Sequence, residues 1–357
     1  MGFSDLGNTL IIGAGQTGIR IASMFRDKYN YDKKNVLLFN TNPDDDIKGV
    51  TLLHTKNRID GSGRNPQYTL ETIIPQNEIE LRDTVEKQLR DNDIGSVILF
   101  NSLSGGSGSA INYFIASEIL IPFKANIAKT FDIVSVVINP FSYEGNPAVS
   151  NSMAMLNMYF SLTKDISIIP IENDIAYKES KGANTFEATN DLISDIVFKT
   201  INYDYFLGKP KTEGLGTLDR KEMSRIVEPA NGFLAWSKVD IKDLKKISNP
   251  LNSFNVATAK KMIVMIRTPQ SQSIDLKILE RFNNEYPSIL KIYAESESEN
   301  ENIEIEMIAN GINIPESHVK KVNETVENIQ NLKTMKKEDK KTNKQTVKVS
   351  KNKMFNI

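Results

Sequence analysis

Short apolar runs alternate with amphipathic stretches along the first half of the chain. Runs rich in β-branched residues have the length of buried strands at Leu10–Ile12, Val36–Phe39, Val97–Phe100, Ile133–Ile138 and Ile166–Ile171. The stretches between them that space apolar residues as helices do are 17–29, 77–92, 109–120 and 151–163. Buried strands that alternate with helices are typical of a parallel sheet covered on both faces. The pattern therefore predicts an α/β domain over residues 1–185.

The second half begins with one long helical pattern. Apolar residues keep a single stripe over 186–208, which predicts a central helix leading out of the first domain. Pro and Gly residues between Lys209 and Gly216 then predict a loop. A smaller α+β domain is expected over 209–312.

Several patterns subdivide the rest of the chain. Met262–Ile266 is typical of a strand. Ile289–Ala294 and Ile303–Ile308 predict a hairpin, closed by an acidic loop over 295–301 that we expect to be solvated. A last apolar stripe predicts a C-terminal helix over 313–332.

The composition changes after residue 332. Residues 333–357 hold nine lysines against Glu338 and Asp339, with few apolar residues. Such a segment cannot bury enough apolar surface to fold, so we predict a disordered basic tail. The whole chain has 44 Lys and Arg against 45 Asp and Glu, a net charge of −1. Because the tail carries +7, residues 1–332 carry −8.

Composition also excludes several kinds of chemistry. The 357 residues include no Cys and only two His, His54 and His318. A thiol nucleophile and a thiolate metal site are therefore excluded, and zinc catalysis or a Ser-His-Asp triad is disfavoured. No apolar run reaches the roughly 18 residues of a membrane span, and the N-terminus lacks the pattern of a signal peptide. We expect a soluble, cytoplasmic protein without membrane contact.

The first candidate for chemistry is the glycine loop Gly13-Ala-Gly15-Gln-Thr-Gly18, between a predicted strand and a predicted helix. Glycines allow a close approach of the backbone to phosphate, and a helix N-terminus offers free N–H groups. The pattern matches the dinucleotide fingerprint, which would make the chain an NAD-dependent Rossmann oxidoreductase. That fold also expects an acidic residue at the end of the second strand, where this chain has Asn40. The dinucleotide alternative stays open on this motif alone.

A second glycine loop, Ser104-Gly-Gly-Ser-Gly-Ser109, follows another predicted strand and precedes another helix. No Gly-Lys-Ser/Thr follows it, so it is not a Walker loop, and the N-K-x-D guanine motif is absent. One such loop suffices for a dinucleotide enzyme. Two loops in one sheet imply a polyphosphate that is held from two sides.

Seven motifs in the same order resemble those of the tubulin/FtsZ GTPase superfamily. Ser104–Ser109 resembles its glycine-rich signature, and the others are Gly13–Gly18, Asn40–Asn42, Gly61–Pro66, Asn139–Gly145, Ile171–Asp174 and Phe186–Asp191. The resemblance spans about residues 8–310. It implies a tubulin/FtsZ-like α/β fold, in which a parallel-sheet nucleotide-binding domain is joined by the central helix to the smaller domain.

The resemblance also implies GTP or GDP as the bound nucleotide, with Mg²⁺. The nucleotide contacts it assigns to this chain are Gly13, Gly15, Gln16, Thr17, Arg20, Asn40, Gly63, Arg64, Asn65, Ser104, Gly105, Gly106, Ser107, Gly108, Pro140, Glu144, Asn173, Phe186, Asn190 and Asp191. Glu144 would reach the ribose, Phe186 would pack on the base, and Asn190 or Asp191 would read the guanine edge.

One further match, Thr217-Leu-Asp219-Arg-Lys-Glu222, resembles the catalytic loop of the superfamily, N-x-D-x-x-[DE]. In the superfamily this loop inserts into the next subunit and positions the attacking water, so hydrolysis would require a head-to-tail filament. Thr217 stands where the family usually has Asn. Asp240 and Asp243 also fit D-x-x-D, and we interpret them as an ordinary helix start.

Within the superfamily, the compact chain and its Lys-rich tail are most similar to the TubZ family of bacterial plasmids and phages. That resemblance implies segregation of plasmid or phage DNA through a DNA-bound adaptor protein, contacted by the tail Lys333–Lys353. Two alternatives stay open beside the oxidoreductase. One is an FtsZ-like cell-division GTPase, and the other is a structural filament that does not hydrolyse nucleotide.

Overall fold

The computed structural model describes residues 8–43, 48–55, 61–126, 131–180, 186–209, 211, 215–216, 218–272, 274–298 and 301–314. The predicted C-terminal helix and basic tail lie outside these residues, as do Thr217 and His318. Residues up to Asn313 form one compact unit. None of the helices described is long and apolar enough to cross a membrane.

The first sheet has six parallel strands in the order β3-β2-β1-β4-β5-β6. Their bounds are β1 Thr9–Ala14, β2 Val36–Asn40, β3 Val50–Leu52, β4 Ser96–Ser102, β5 Asp132–Asn139 and β6 Ser167–Glu172. The five predicted strands are confirmed; four are one to three residues longer than their apolar runs, and β6 has the predicted length, shifted by one residue. The short edge strand β3 was not predicted, because Val50–Leu52 offers only three residues and no alternation.

Helices connect these strands and cover the sheet, as the alternating pattern predicted. The α-helices between these strands and directly after β6 are α1 Gly15–Lys28, α2 Pro66–Tyr68, α3 Ile74–Asp91, α4 Ser107–Phe114, α5 Ile121–Asn126, α6 Asn146–Ser161 and α7 Asn173–Glu179. Two π-helical turns, Thr69–Ile73 and Ile115–Leu120, join α2 to α3 and α4 to α5. Each of the four predicted helices is present, and all four begin two or more residues earlier than their apolar stripes.

The central helix is shorter than predicted. It forms α8, Phe186–Ile201, and a separate short helix α9 follows at Tyr203–Leu207. The break occurs at Asn202, whose backbone is extended and whose side-chain oxygen accepts a hydrogen bond from Tyr205 N at 2.8 Å. An apolar stripe cannot reveal such a break, because the break is made by one polar side chain that bonds to the backbone of the following turn.

The second sheet has five strands in the order β10-β9-β11-β7-β8, and two helices accompany it. The bounds are α10 Arg220–Val227, β7 Phe233–Val239, β8 Ile247–Ser248, β9 Lys261–Thr268, α11 Lys277–Glu285, β10 Leu290–Glu297 and β11 Glu304–Ile312. Strand β9 confirms the strand that was predicted at Met262–Ile266.

The predicted hairpin between Ile289–Ala294 and Ile303–Ile308 is wrong. Strands form there, but β9 lies between them, parallel to β10 and antiparallel to β11. The two strands therefore do not pair with each other: each bonds to β9 on one edge, and the other edge of β11 bonds to β7. The solvated acidic loop is wrong in part, because Glu295 belongs to β10 and is 3% exposed.

The helix start predicted at Asp240 and Asp243 is also wrong. These residues lie in the turn between β7 and β8, where Asp243 N donates to Asp240 O at 3.1 Å. Their carboxylates accept from Lys242 N and Lys245 N, two residues further on, which is the geometry of an Asx turn rather than of a helix N-cap.

One apolar core joins the two sheets through α8. Ile193, Ile196 and Val197 of α8 belong to the same buried cluster as Ile138 of the first sheet and Trp236 of the second. The stripe that predicted the central helix therefore lies in the core that the two sheets share. The domain boundaries at residues 185, 208 and 312 stay a prediction.

Candidate functional site

The two glycine loops lie side by side at one edge of the first sheet. The strand order reverses direction between β1 and β4, since β2 lies on one side of this pair and β5 on the other. Open parallel sheets bind ligands at the carboxyl ends of the strands that flank such a switch point. The loops that follow β1 and β4 meet there, as the motif order predicted.

A polar cleft of about 480 Å³ opens between these loops. Its lining residues are Ala14, Gly15, Gln16, Thr17, Asn40, Thr41, Asn42, Gly61, Ser62, Gly63, Arg64, Ser102, Ser104, Gly105, Gly106, Ser107, Gly108 and Glu144. Among them Arg64 is the single cation and Glu144 the single anion. The lining is therefore rich in backbone N–H groups and hydroxyls rather than in charge.

The backbones of the two glycine loops touch each other. A Cβ built on Gly108 would lie 2.4 Å from Ala14 O, and one built on Gly15 would lie 2.9 Å from Gly108 Cα. Gly15 also has φ of +68°, which disfavours a side chain. Glycine is therefore required at both positions for the loops to form one continuous surface.

A cluster of hydroxyls lies at the base of the cleft. Ser107 Oγ is 2.5 Å from Thr41 Oγ1 and 3.1 Å from Ser62 Oγ. All three side chains are at most 9% exposed. The cluster joins three loops, which follow β2, β3 and β4. These hydroxyls can each donate to an anionic oxygen or accept from another hydroxyl.

Asn151 of α6 links two of the same loops through their backbone carbonyls. Its Nδ2 donates to Arg64 O at 2.7 Å and to Ser104 O at 3.2 Å. Below them the buried Tyr159 hydroxyl donates to Ser109 O at 3.1 Å, at the start of α4. Thr41, Ser62, Asn151 and Tyr159 were not predicted individually, because hydroxyl and amide side chains carry no pattern that separates a site from an ordinary loop.

Twelve of the predicted nucleotide contacts line the cleft, and the remaining eight do not. The eight are Gly13, Arg20, Asn65, Pro140, Asn173, Phe186, Asn190 and Asp191. Gly13 has a packing reason of its own, since its Cβ would lie 2.8 Å from Ala22 Cβ of α1. Asn65 accepts a hydrogen bond from Tyr68 N at 3.0 Å as the N-cap of α2, and Arg20 is exposed on α1.

An aromatic cluster connects the turn of Glu144 to the start of α8. Glu144 Oε1 accepts from Phe141 N at 3.0 Å, so this turn is closed on itself. The Phe141 ring then meets Phe186 edge to face, with centroids 5.7 Å apart, and stacks on Tyr143 at 5.0 Å. Phe186 is 60% exposed. It therefore presents a free ring face close to one end of the cleft.

Asp191 is held by a lysine of α1. Lys28 Nζ lies 2.6 Å from Asp191 Oδ1 and 2.7 Å from Asp195 Oδ1. Burial alone would lower the pKa of Lys28, but its hydrogen bonds to Asp191 and Asp195 raise the pKa overall. Burial and the neighbouring Asp195 also raise the pKa of Tyr29. Between the two residues predicted to read guanine, this ion pair favours Asn190 as the one available to a base.

The predicted catalytic carboxylates lie outside the cleft and bind each other's backbone. Asp219 caps α10 by accepting from Glu222 N at 2.7 Å, while Glu222 accepts from Asp219 N at 2.9 Å. This reciprocal capping box explains the local spacing of the two acids without any catalysis. Asp219 is exposed, and one oxygen of each carboxylate makes no bond within the box.

The architecture is that of the tubulin/FtsZ-like fold, as predicted from the motif order. No protein-family model matches the sequence. TubZ from Bacillus thuringiensis serovar israelensis, solved as a GTPγS-form protofilament, is similar over 96% of this chain and 97% of its own, with TM-score 0.69 and 15% identity.

Two further solved structures are similar over nearly their whole length. CetZ from Methanosaeta thermophila has TM-score 0.68 and 16% identity, covering 97% of this chain and 98% of its own. TubZ of Clostridium botulinum phage c-st, with its C-terminal tail truncated, has TM-score 0.61 and 18% identity, covering 92% and 99%. At these identities the similarity concerns the fold.

Proposed function

We propose that this chain binds and hydrolyses GTP and assembles head to tail into a filament. The observation that carries the proposal is the cleft of two touching glycine loops at the switch point of a tubulin/FtsZ-like fold. Similar structures include a GTPγS-form and a GDP-form protofilament of TubZ and a two-stranded TubZ filament. These support both a guanine nucleotide and self-association for this chain.

The chemistry of the cleft fits a nucleotide triphosphate. Loop N–H groups and the N-terminus of α4 can bind phosphate oxygens, and the Ser and Thr hydroxyls add further donors. Among the lining residues that the structure describes, only Arg64 offers positive charge, so most of the triphosphate charge there needs another counter-ion. Phe186 would stack on the base beyond Glu144.

Mg²⁺ fits this need. No group of three acidic or His side chains among the described residues could hold a metal by itself. Hydroxyl oxygens from Thr41, Ser62 and Ser107 are ligands that Mg²⁺ accepts when phosphates and water complete its shell. The ion would neutralise part of the triphosphate charge, and these hydroxyls would hold it together with the nucleotide.

Hydrolysis would use the Asp219 loop of the next subunit. Asp219 is exposed, is absent from the lining of its own cleft, and keeps carboxylate oxygen free of the capping box. A carboxylate brought beside a γ-phosphate by assembly can orient the attacking water. Hydrolysis would then follow assembly, because each complete site is built from two molecules.

We further propose that the filament segregates plasmid or phage DNA through a DNA-bound adaptor that the lysine-rich tail contacts. The charge division supports this, with +7 in residues 333–357 and −8 in the rest. An FtsZ-like role in cell division would not need a basic tail. A filament without hydrolysis would not need the exposed carboxylate of Asp219.

Sedimentation with GTP, GTPγS, GDP or NADH tests the proposal, combined with phosphate release and negative-stain microscopy. We expect filaments with GTP and GTPγS, phosphate release with GTP only, and no enhancement of NADH fluorescence. Enhanced NADH fluorescence without GTP-dependent pelleting would instead support the oxidoreductase. Filaments with GTP but no phosphate release would support the structural filament.

A further inference from the structure

The segment that leads from α9 to Asp219 is attached to the free edge of β10. Glu297 N donates to Lys209 O at 2.8 Å, and Glu295 N donates to Gly216 O at 3.3 Å. Strand β10 is otherwise an edge strand, bonded on its other side to β9. The backbone at both ends of this segment, at Lys209 and at Gly216, is therefore positioned by β10.

The Glu295 carboxylate strengthens the same attachment. Its side chain is 1% exposed and accepts from Thr268 Oγ1 at 2.6 Å, from Leu215 N at 3.3 Å and from Lys211 Nζ at 3.4 Å. Lys211 and Leu215 belong to the attached segment, while Thr268 belongs to β9. One buried carboxylate thus binds two points of the segment to the sheet.

The charge of the largely buried Lys211 is balanced by this carboxylate. Its side chain is 10% exposed, and its Nζ also donates to Thr268 Oγ1 at 2.7 Å and to Pro269 O at 3.1 Å. Among these oxygens only the Glu295 carboxylate carries a full negative charge. Neutralising it would leave a largely buried ammonium without a counter-ion, which drives the lysine and its segment outward.

Asp219 lies three residues beyond Gly216, so a displacement of the segment reaches it directly. A second contact acts from the other side, where Tyr203 OH donates to Leu218 O at 2.8 Å. Leu218 is itself buried. Asp219 is therefore held between an anchor on β10 and an anchor on α9, and the first of them is ionic.

We propose that Glu295 is a positioning residue for the Asp219 and Glu222 carboxylates, and through them for hydrolysis in the neighbouring subunit. The inference rests on the proposed function. Glu295 does not line the cleft, so it acts on the loop that a subunit offers and not on the nucleotide that the same subunit binds.

Glu295→Gln tests this, because it keeps the shape of the side chain and removes the charge. We expect GTP turnover per assembled subunit to fall about 10- to 100-fold, the scale of a misplacement near 1 Å. Binding of GTPγS to the monomer should stay within about twofold, since surface and cleft geometry are unchanged there.

Glu306→Gln is the matched control. Glu306 also forms a buried ion pair in the same sheet, with Arg267 Nη2 at 3.2 Å, but it makes no bond to Lys211 or Leu215. Glu306→Gln should lower stability as much as Glu295→Gln does, and it should leave turnover per assembled subunit near the parental value. Equal losses of turnover in both variants would mean general destabilisation and would overturn the proposal.

Mixed filaments separate the two halves of the site. Glu295→Gln subunits have an intact cleft and a displaced loop, whereas Gly108→Ala subunits have a defective cleft and an intact loop. Mixing the two should therefore restore part of the turnover in the clefts of the Glu295→Gln subunits. Asp219→Asn subunits, which share the loop defect, should restore none. Recovery with neither partner would contradict a role in the loop.

Amide hydrogen exchange decides the question without any hydrolysis. We expect the Asp219 and Glu222 amides, which close the capping box, to exchange several-fold faster in Glu295→Gln and unchanged in Glu306→Gln. Unchanged exchange in Glu295→Gln would overturn the inference even if GTP hydrolysis is normal. If the parental chain hydrolyses no GTP, the proposed function fails, and exchange still reports on Glu295.

Discussion

Gly108 is the residue on which the contact between the two loops depends. Its missing side chain lets the loop after β4 lie against Ala14 O, at a distance that no Cβ could occupy. Gly105, in the same loop, has no atom within 4 Å of the corresponding position. Sequence alone gives both glycines the same weight. The structure assigns one to packing and leaves the other open to the cleft.

A methyl group at Gly108 should therefore disrupt the site. We expect Gly108→Ala to lower the free energy of unfolding by about 1–3 kcal/mol through overpacking, and to weaken GTPγS binding because the loops separate. Urea unfolding and nucleotide titration measure the two effects. Gly105→Ala is the control, with stability expected within about 0.5 kcal/mol of the parental chain. Equal stability of the two variants would contradict the close approach.

Asp219 serves as both a helix cap and a proposed catalytic group, so the substitution must separate the two. Asparagine caps helices as well as aspartate does, whereas alanine loses about 1 kcal/mol. We expect Asp219→Asn to keep parental stability, to assemble with GTP and to release almost no phosphate. Asp219→Ala should also assemble without turnover, with the added loss of the cap.

Asp240→Asn provides the matched control for Asp219→Asn. Asp240 is also an acidic residue that accepts from a backbone N–H in a turn, and it lies in the β7–β8 connection. Asp240→Asn filaments should hydrolyse GTP at the parental rate. Parental hydrolysis by Asp219→Asn filaments would show that this carboxylate takes no part in the reaction.

At the scale of elements, the division between α8 and α9 depends on Asn202. Its side chain caps α9 and is 5% exposed, so water cannot replace the lost hydrogen bond easily. The predicted helix over 186–208 had the correct apolar face. It missed the break because a capping amide is encoded by one residue and not by a periodic pattern.

Asn202→Ala should lower the free energy of unfolding by about 1 kcal/mol, because Tyr205 N loses its partner. Asn202→Ser retains a capping oxygen and should recover most of that loss. Chemical denaturation of both variants beside the parental chain measures the difference. If alanine and serine destabilise equally, the hydrogen bond to Tyr205 N contributes nothing, and the extended backbone at this position is set by packing alone.

The net charge of the whole molecule is the sum of an acidic main part and a basic C-terminal segment. Residues 1–332 carry −8, and the last 25 residues carry nine of the 44 basic side chains. Electrostatic attraction to phosphate weakens with salt, because bound cationic groups release counter-ions from the nucleic acid. The small net charge of −1 therefore conceals a segment that suits contact with DNA or with an acidic protein face.

Removing residues 333–357 should leave GTP hydrolysis within about twofold of the parental rate, since the cleft and the Asp219 loop stay intact. Binding to an adaptor–DNA complex should weaken, and most strongly at low salt, where the lysines contribute most. Co-sedimentation of filaments with that complex over a salt series measures this. A chain with the nine lysines replaced by glutamine controls for length. Unchanged co-sedimentation of both variants would refute the role of the tail.

The sequence by itself determined the parallel sheet and its glycine loops. Apolar strands that alternate with helices admit few arrangements, and glycines at strand ends must lie at the carboxyl edge of the sheet. Twelve of the predicted contacts accordingly line the cleft. These features depend on short-range patterns, which a linear chain displays directly.

Only the tertiary structure decided which distant segments meet. Strand β9 separates β10 from β11, Lys28 binds Asp191 across 163 positions, and Glu295 binds Lys211 across 84. Neither a strand's partner nor a buried ion pair has a local signature, since each is selected by how the whole core packs. The proposed role of Glu295, in a stretch whose acidic composition predicted a solvated loop, follows from that packing alone.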